Sequence, residues 1–273
     1  MMKNKARELF LTVFSISIII VIWWVLAETR YKQTGIIPTP LDTLQIIRDE
    51  IRKDSFSKAV FSTLKRSFFS FFISFFYASL LAILAHFKKP IGTIINPFIL
   101  LCRFMPTMAL ILILLLAVGS EMLPTVVAFL VVFPLCYENM SAAIAETNKE
   151  LLIMAKVFKV PKWRQITGIY VPSMLPYVFS SIIAGFGLNI KVVISAEVMG
   201  LPSMSIGYLI LSARQGYNFG ISFAWLVIAV MLSFVCEALI RLIRRFCMPY
   251  KYLDLNIVKG MVLRLFSKKK EIL

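Results

Sequence analysis

From Leu9 to Ala27 no residue carries a charge. A run of that length is too apolar to face water and too long for an ordinary strand. It matches the roughly 20 residues that a helix needs to cross a bilayer. It also exceeds the ~7–15 apolar residues of a signal-peptide core, so it reads as an uncleaved first span. Lys3, Lys5 and Arg7 precede it, and Trp23 and Trp24 stand at its far end, where indoles favour the membrane interface.

Comparable stretches recur along the chain. A phenylalanine-rich second span runs from about Ser67 to Phe87 and ends at Lys88, Lys89 and Pro90. A third lies within Ile91 to Val118 and contains Pro97, Arg103 and Pro106. Gly119 to Pro124 reads as a tight loop, and a fourth span follows from Val126 to about Tyr137, continuing to Ala145. The fifth lies between Tyr170 and Val198, with Gly185 and Gly187 offering close helix contact. The sixth runs from Ile221 to about Ile243 and is closed by Arg241, Arg244 and Arg245. Between spans, Leu41 to Lys53 carries Leu44, Ile47 and Ile51 at helical spacing and reads as a short surface helix, whereas Leu201 to Gly220, rich in Gly and Ser, reads as an exposed loop. In lipid every backbone polar group must find its partner inside the protein, so apolar runs of this length imply helices. The fold class is therefore all-α, a polytopic membrane protein of about six transmembrane helices.

Composition agrees. Of 273 residues 59% are hydrophobic and 16% charged, against about 25% charged in soluble proteins. The net charge of +16 falls mainly between and after the apolar runs, a pattern suited to membrane lipid and to the orientation rule rather than to nucleic acid. With the N-terminus in the cytoplasm, the inner segments hold nineteen Lys and Arg and the outer segments nine. Both termini are then cytoplasmic, though Lys65 and Arg66 fit the outer side poorly.

Catalytic chemistry is sparse. No P-loop signature and no H-E-x-x-H occurs, and a single histidine, His86, leaves no material for a Ser/His/Asp set. Cys102, Cys136, Cys236 and Cys247 form no C-x-x-C pair and read as small buried hydrophobes, with no metal site. One histidine and no paired cysteines argue against a membrane-embedded enzyme. Arg103, Glu138, Lys191 and Glu197 lie in or beside spans, where ionisable groups face a bundle interior or an aqueous cavity. Arg103, Lys191 and Glu197 are candidates for a solute path; Glu138 and Glu197 would serve as relays in the alternative reading, an ion- or proton-coupled secondary carrier.

One polar interruption is both basic and helix-competent, Asn148 to Pro176. Asn148 suits a helix cap, and Leu151, Leu152, Ala155 and Phe158 follow as one apolar stripe. Pro161 suits the first turn of a second short helix. Trp163 beside Arg164 is an interfacial anchor rather than a base-stacking platform. Two uses fit such an element: lying in the lipid headgroup layer, or docking a cytoplasmic partner.

This stretch resembles the cytoplasmic loop of bacterial ABC importer permeases, E-A-A-x3-G-x9-I-x-L-P. Ile153, Met154 and Ala155 fall on the E-A-A positions, Lys159 on the Gly, and Ile169, Val171 and Pro172 on I and L-P. Ile for Glu, Met for the first Ala, Lys for Gly and Val for Leu depart from the pattern. Tyr170 to Tyr177, Gly187 to Val198, Ser205 to Tyr208 and the early Ile37-Pro-Thr-Pro40 are similar to the nitrate/sulfonate/taurine-type branch. The resemblance implies the type I importer permease fold: one transmembrane permease domain over 1–273, with core spans about 60–247, a cytoplasmic coupling loop about 146–169 and a basic cytoplasmic tail about 244–273. It implies a bacterial inner-membrane location, a cytoplasmic ABC ATPase dimer that carries the ATP and Mg, a separate extracytoplasmic substrate-binding protein, and a second permease copy in a homodimer; this chain itself would bind no cofactor. Leu151, Leu152, Met154, Ala155, Phe158 and Lys159 would form the ATPase-docking coupling helix. The solute would be a sulfonate, taurine or nitrate-like anion, or a thiamine-precursor or riboflavin-like compound.

Overall fold

The computed structural model describes residues 2–29, 36–147 and 149–247. Asn148, expected to cap the coupling helix, and the tail beyond 247, with Lys268, Lys269 and Lys270, lie outside the described residues. Every regular element among the described residues is helical: α1 (Met2–Thr29), α2 (Pro40–Ile51), α3 (Asp54–Phe87), α4 (Lys89–Phe104), α5 (Thr107–Ala145), α6 (Lys149–Val157), α7 (Lys162–Gln165), a π turn (Ile166–Tyr170), α8 (Val171–Gly200), α9 (Ile206–Gln215) and α10 (Phe219–Cys247). Five stretches are long and apolar enough to cross a membrane: Phe10–Thr29, Asp54–Phe87, Thr107–Ala145, Lys162–Gly200 and Phe219–Phe246.

The third expected span, within Ile91 to Val118, is divided between α4 and the first part of α5, and the fourth lies in the rest of α5; α4 is not among the five long apolar stretches. Met105 takes an extended conformation (φ −64°, ψ 125°) ahead of Pro106 and ends α4, because the proline ring disfavours helical geometry in the residue before it. The loop expected over Gly119–Pro124 shrinks to one residue. Gly119 alone leaves the helix (φ 74°, ψ 170°), in a region open to glycine and strained for other residues, and Ser120 to Pro124 are already helical. The second span begins earlier than expected, at Asp54.

The second correction concerns Leu201–Gly220, which holds α9 rather than an exposed loop. Ser205 is its N-cap, accepting from the amide of Tyr208 at 3.1 Å. Ser205, Ile206 and Gly207 are buried. At the far end Tyr217 is left-handed (φ 58°), and the amides of Tyr217 and Asn218 reach back to the carbonyls of Arg214 and Ala213, at 3.1 and 2.8 Å. That pair of bonds is a Schellman stop.

The chain divides into two compact units: one of Met1–Ser70, Pro106–Ala128 and Ile190–Ser233, the other of Phe71–Met105, Phe129–Asn189 and Phe234–Leu273. In the first, Trp225 is fully buried, packs on Phe56 (5.6 Å between ring centroids) and donates its indole N–H to Glu50 on α2. Thr39 and Asp42 form a capping box that starts α2, with Pro40 in its first turn. In the second, Phe71 and Phe186 meet edge to face at 5.3 Å, a favourable arrangement for aromatic quadrupoles. Gly185 makes the close approach expected of it, since an added Cβ would lie 3.1 Å from Phe71; Gly187 has nothing within 4 Å.

Candidate functional site: a surface helix and a buried ionic knot

Alternating helix and turn chemistry builds the polar stretch. In α6 Ala155 is buried, Leu151 and Leu152 are half-buried, and Ile153 and Val157 stand 63% and 71% exposed. Met154 and Phe158 are also exposed. The single apolar stripe expected from Leu151, Leu152, Ala155 and Phe158 is thus divided. Leu151 and Ala155, one turn apart, face the protein, while Ile153/Val157 and Met154/Phe158, each pair one turn apart, form the outward face. Ile153 and Val157 were missed from the sequence, the first because it replaces the Glu of the motif.

The helix stops as a glycine would stop it, with lysine in the glycine's place. Lys159 has φ 50°, its amide meets the carbonyl of Lys156 at 3.1 Å, and the amide of Val160 meets that of Ala155 at 2.8 Å. This is a Schellman motif, so the turn geometry survives the Gly-to-Lys change at a local cost of roughly 1–2 kcal/mol for a left-handed L-residue. Pro161 is the N-cap of α7 rather than a first-turn residue. Gln165 donates its side-chain amide to the carbonyl of Val160 at 2.7 Å, bracing the break between the two helices. The π turn then carries the chain into α8 where Pro172 lacks a donor. Trp163 is 73% exposed.

A second cluster lies in the first compact unit, around Glu197. This carboxyl has no solvent exposure. It accepts from the Thr63 hydroxyl (2.8 Å), the Gly207 amide (3.3 Å) and Nη1 of Arg66 (3.3 Å). The Thr63 hydroxyl oxygen in turn accepts from the amide of Ile206 at 3.1 Å. With Tyr208 bonded to Ser205, each amide of the first turn of α9 is satisfied, and the negative group sits at the positive end of the helix dipole. Arg66 also donates to Ser62 (2.7 Å) and, through Nη2, to Glu121 (2.6 Å). Glu121 accepts from both the amide and the hydroxyl of Ser203, at 2.7 and 2.8 Å. Arg66, which fitted the charge pattern poorly, is therefore neutralised by two carboxylates.

The remaining sequence candidates are placed as follows. Arg103 and Glu138 form an ion pair at 2.6 Å, both partly exposed, in the second unit. Lys191 is exposed on α8, one turn from exposed Ser195, in a stretch whose other residues from Asn189 to Glu197 are buried. It has no ion-pair partner among the described residues. His86 is exposed and stacks edge-on with Phe87 and Tyr170. Cys102, Cys136 and Cys236 are buried free thiols, and no group of three metal-ligating side chains occurs among the described residues.

Known proteins share this architecture. The MetNI methionine ABC transporter, in an inward-facing conformation, aligns with a TM-score of 0.59 at 17% identity, covering 71% of this chain and 96% of that one. A bacterial ABC transporter involved in import of the acidic polysaccharide alginate aligns with a TM-score of 0.60 at 16% identity, covering 89% and 97%. At these identities the likeness shows the fold. Among curated sequences, the SsuC permease protein of Bacillus subtilis, assigned to aliphatic sulfonate transport, is 24% identical over 231 residues, covering 84% of this chain and 83% of its own. The taurine transport permease TauC of Escherichia coli is 17% identical over 251 residues, covering 90% and 91%. Residues 74–246 match the model of the binding-protein-dependent transport system inner membrane component, a stretch that takes in α6, the Glu197 knot's α8 and α9 portions and the last two long apolar stretches, and the chain belongs to that family.

Proposed function

We propose that this chain is the permease subunit of an ATP-driven importer, and that α6 is the surface on which a cytoplasmic ABC ATPase docks. The observation that carries the reading is the outward face of α6: Ile153, Met154, Val157 and Phe158 are exposed beside Lys156, Lys159 and Lys162, on a helix whose other side is anchored through Ala155. An apolar centre with a charged rim is the anatomy of a protein interface. The sequence is amphipathic enough to lie in lipid too, but Trp163 and Val157 project from a segment braced by Gln165, which suits a groove in a rigid partner.

The test is co-purification. Val157→Asp should release a P-loop ATPase that accompanies the unaltered chain from native membranes, with membrane insertion unchanged. Retention of the ATPase by Val157→Asp and by Phe158→Asp would overturn the assignment. Ala155→Asp is a poor probe of docking, because Ala155 packs inward.

The solute is proposed to be a small organic anion, supported by the relatives assigned to sulfonate and taurine transport and by Lys191, a cation exposed in an otherwise buried stretch of α8. Arg103 is a weaker contributor, its charge being met by Glu138. A binding protein would deliver the solute, two permease copies would form the path, and both termini would face the cytoplasm. The secondary-carrier alternative needs carboxylates that exchange protons with solvent; Glu197 faces none, and Glu138 is paired.

A further inference from the structure

The surface helix α2 lies in the chain between α1 and α3, two stretches apolar enough to cross a membrane. One side packs on protein: Thr43 and Glu50 are buried, Ile46 and Ile47 half-buried, and Glu50 receives the indole N–H of Trp225 at 3.2 Å and Lys53 at 2.5 Å. The other side is ordered. At 3.6 residues per turn, moving round from Ile47 one meets Ile51 and Leu44, then Arg48, Leu41 and Arg52, then Gln45, and last Asp49 and Asp42. Leu41, Leu44 and Ile51 are 70%, 63% and 52% exposed. The exposed face thus runs from an apolar flank (Ile51, Leu44), through a mixed band in which Leu41 stands between Arg48 and Arg52, to an acidic flank.

Water alone would favour polar groups all round this surface. A protein partner would favour an apolar centre with polar groups on both sides. An apolar flank opposite an acidic one, with the arginines and Leu41 between them, matches the layers of a leaflet, where apolar side chains sit at the acyl boundary and cations meet phosphate below an aqueous phase. The approach to α2 is fixed at the same level. Trp23, near the end of α1, donates its indole N–H to the carbonyl of Pro38 at 3.1 Å and packs on Phe223, and its neighbour Trp24 is exposed. Indoles concentrate at that interface.

We propose that α2 lies in the headgroup layer of the leaflet where α1 ends and α3 begins, and that Arg48 and Arg52 bind the phosphates of anionic phospholipid. Leu44 and Ile51 dip toward the acyl chains, and Asp42 and Asp49 face water. The inference rests on α1 and α3 as membrane spans and not on the ATPase or the solute.

The experiment is a depth measurement on the full chain reconstituted in phosphatidylcholine vesicles with and without phosphatidylglycerol. Leu44→Cys and Asp49→Cys each carry a nitroxide, with the unsubstituted chain as background for the native thiols. Dissolved oxygen should relax the probe at 44 several-fold more than an aqueous nickel complex does, and the order should reverse at 49. Phosphatidylglycerol should deepen the probe at 44, and Arg48→Gln with Arg52→Gln should abolish that response while Arg48→Lys with Arg52→Lys keeps it. Equal nickel access at both positions would overturn the proposal by placing α2 in water. Shielding at 44 from both reagents would also overturn it, by showing a protein cover. Neither outcome touches the transporter reading, which uptake and co-purification test separately.

Discussion

Glu197 accepts the backbone amide of Gly207, ten residues further along the chain, and so supplies the negative charge at the start of α9. The contact leaves no room for a side chain at 207. An added Cβ would meet the Cβ of Glu197 and the backbone of residues 197 and 198 well inside contact distance. Here a glycine is required by a close approach between two elements rather than by a turn.

Gly207→Ala should therefore destabilise the chain by about 1–3 kcal/mol, the usual cost of forcing extra volume into a packed site. Thermal unfolding of the purified protein would read this as a lowered midpoint. An unchanged midpoint would mean that α9 can slide away from Glu197 without loss.

Arg66 and Glu121 should not respond alike to truncation. Glu121 is largely exposed, and its pairing with Arg66 is worth about 1 kcal/mol or less. Arg66→Ala instead leaves Glu197 buried without its cation, a loss of about 3–5 kcal/mol for a broken buried pair. Expression and unfolding of Arg66→Ala, Glu121→Ala and Arg66→Ala with Glu197→Gln would separate the cases, and the last should recover part of the stability lost in the first.

Lys159→Gly should be neutral or stabilising by up to about 1 kcal/mol, because relief of left-handed strain is partly offset by the greater freedom of glycine in the unfolded chain. Since Lys159 lies at the motif's glycine position, the variant should also keep ATPase co-purification. A destabilised Lys159→Gly would show that the lysine side chain makes a stabilising contact of its own.

Ile153→Asp, like Val157→Asp, should weaken association with the proposed ATPase partner. A central desolvated residue is worth about 2 kcal/mol or more, roughly thirtyfold in affinity. Titration of the purified ATPase onto reconstituted permease measures it. Full affinity in Ile153→Asp would shift the docking face toward Met154 and Phe158.

On the proposed function, Lys191→Gln should lower uptake of a small organic anion, with taurine as the probe, while leaving ATPase assembly intact. Lys191→Arg should preserve uptake better than Gln does. Equal uptake in all three would remove Lys191 from the solute path.

Much of this architecture was legible in the residues because periodicity and length are local properties. The uncharged run from Leu9, the spacing of Leu44, Ile47 and Ile51, and the arginines that close α10 each announce an element without reference to any other. What escaped depends on distant partners. α9 was read as loop because Ser203, Ser205, Gly207 and Gly216 carry turn signals, and its start is completed by Thr63, more than a hundred residues away. Ser205 ahead of Ile206 was an available cap signal. The two-sided character of α6 was hidden for a different reason: an apolar stripe shows which residues avoid water, not which of two apolar surroundings each one meets.

One guanidinium between two carboxylates has an evolutionary corollary. Positions 66 and 197, unlike the exposed 121, are coupled through a buried ion pair, so losing either alone strands a buried charge that changing both would not. A saturation library that varies them singly would score 66 and 197 as intolerant and 121 as permissive, and would miss the compensated pairs.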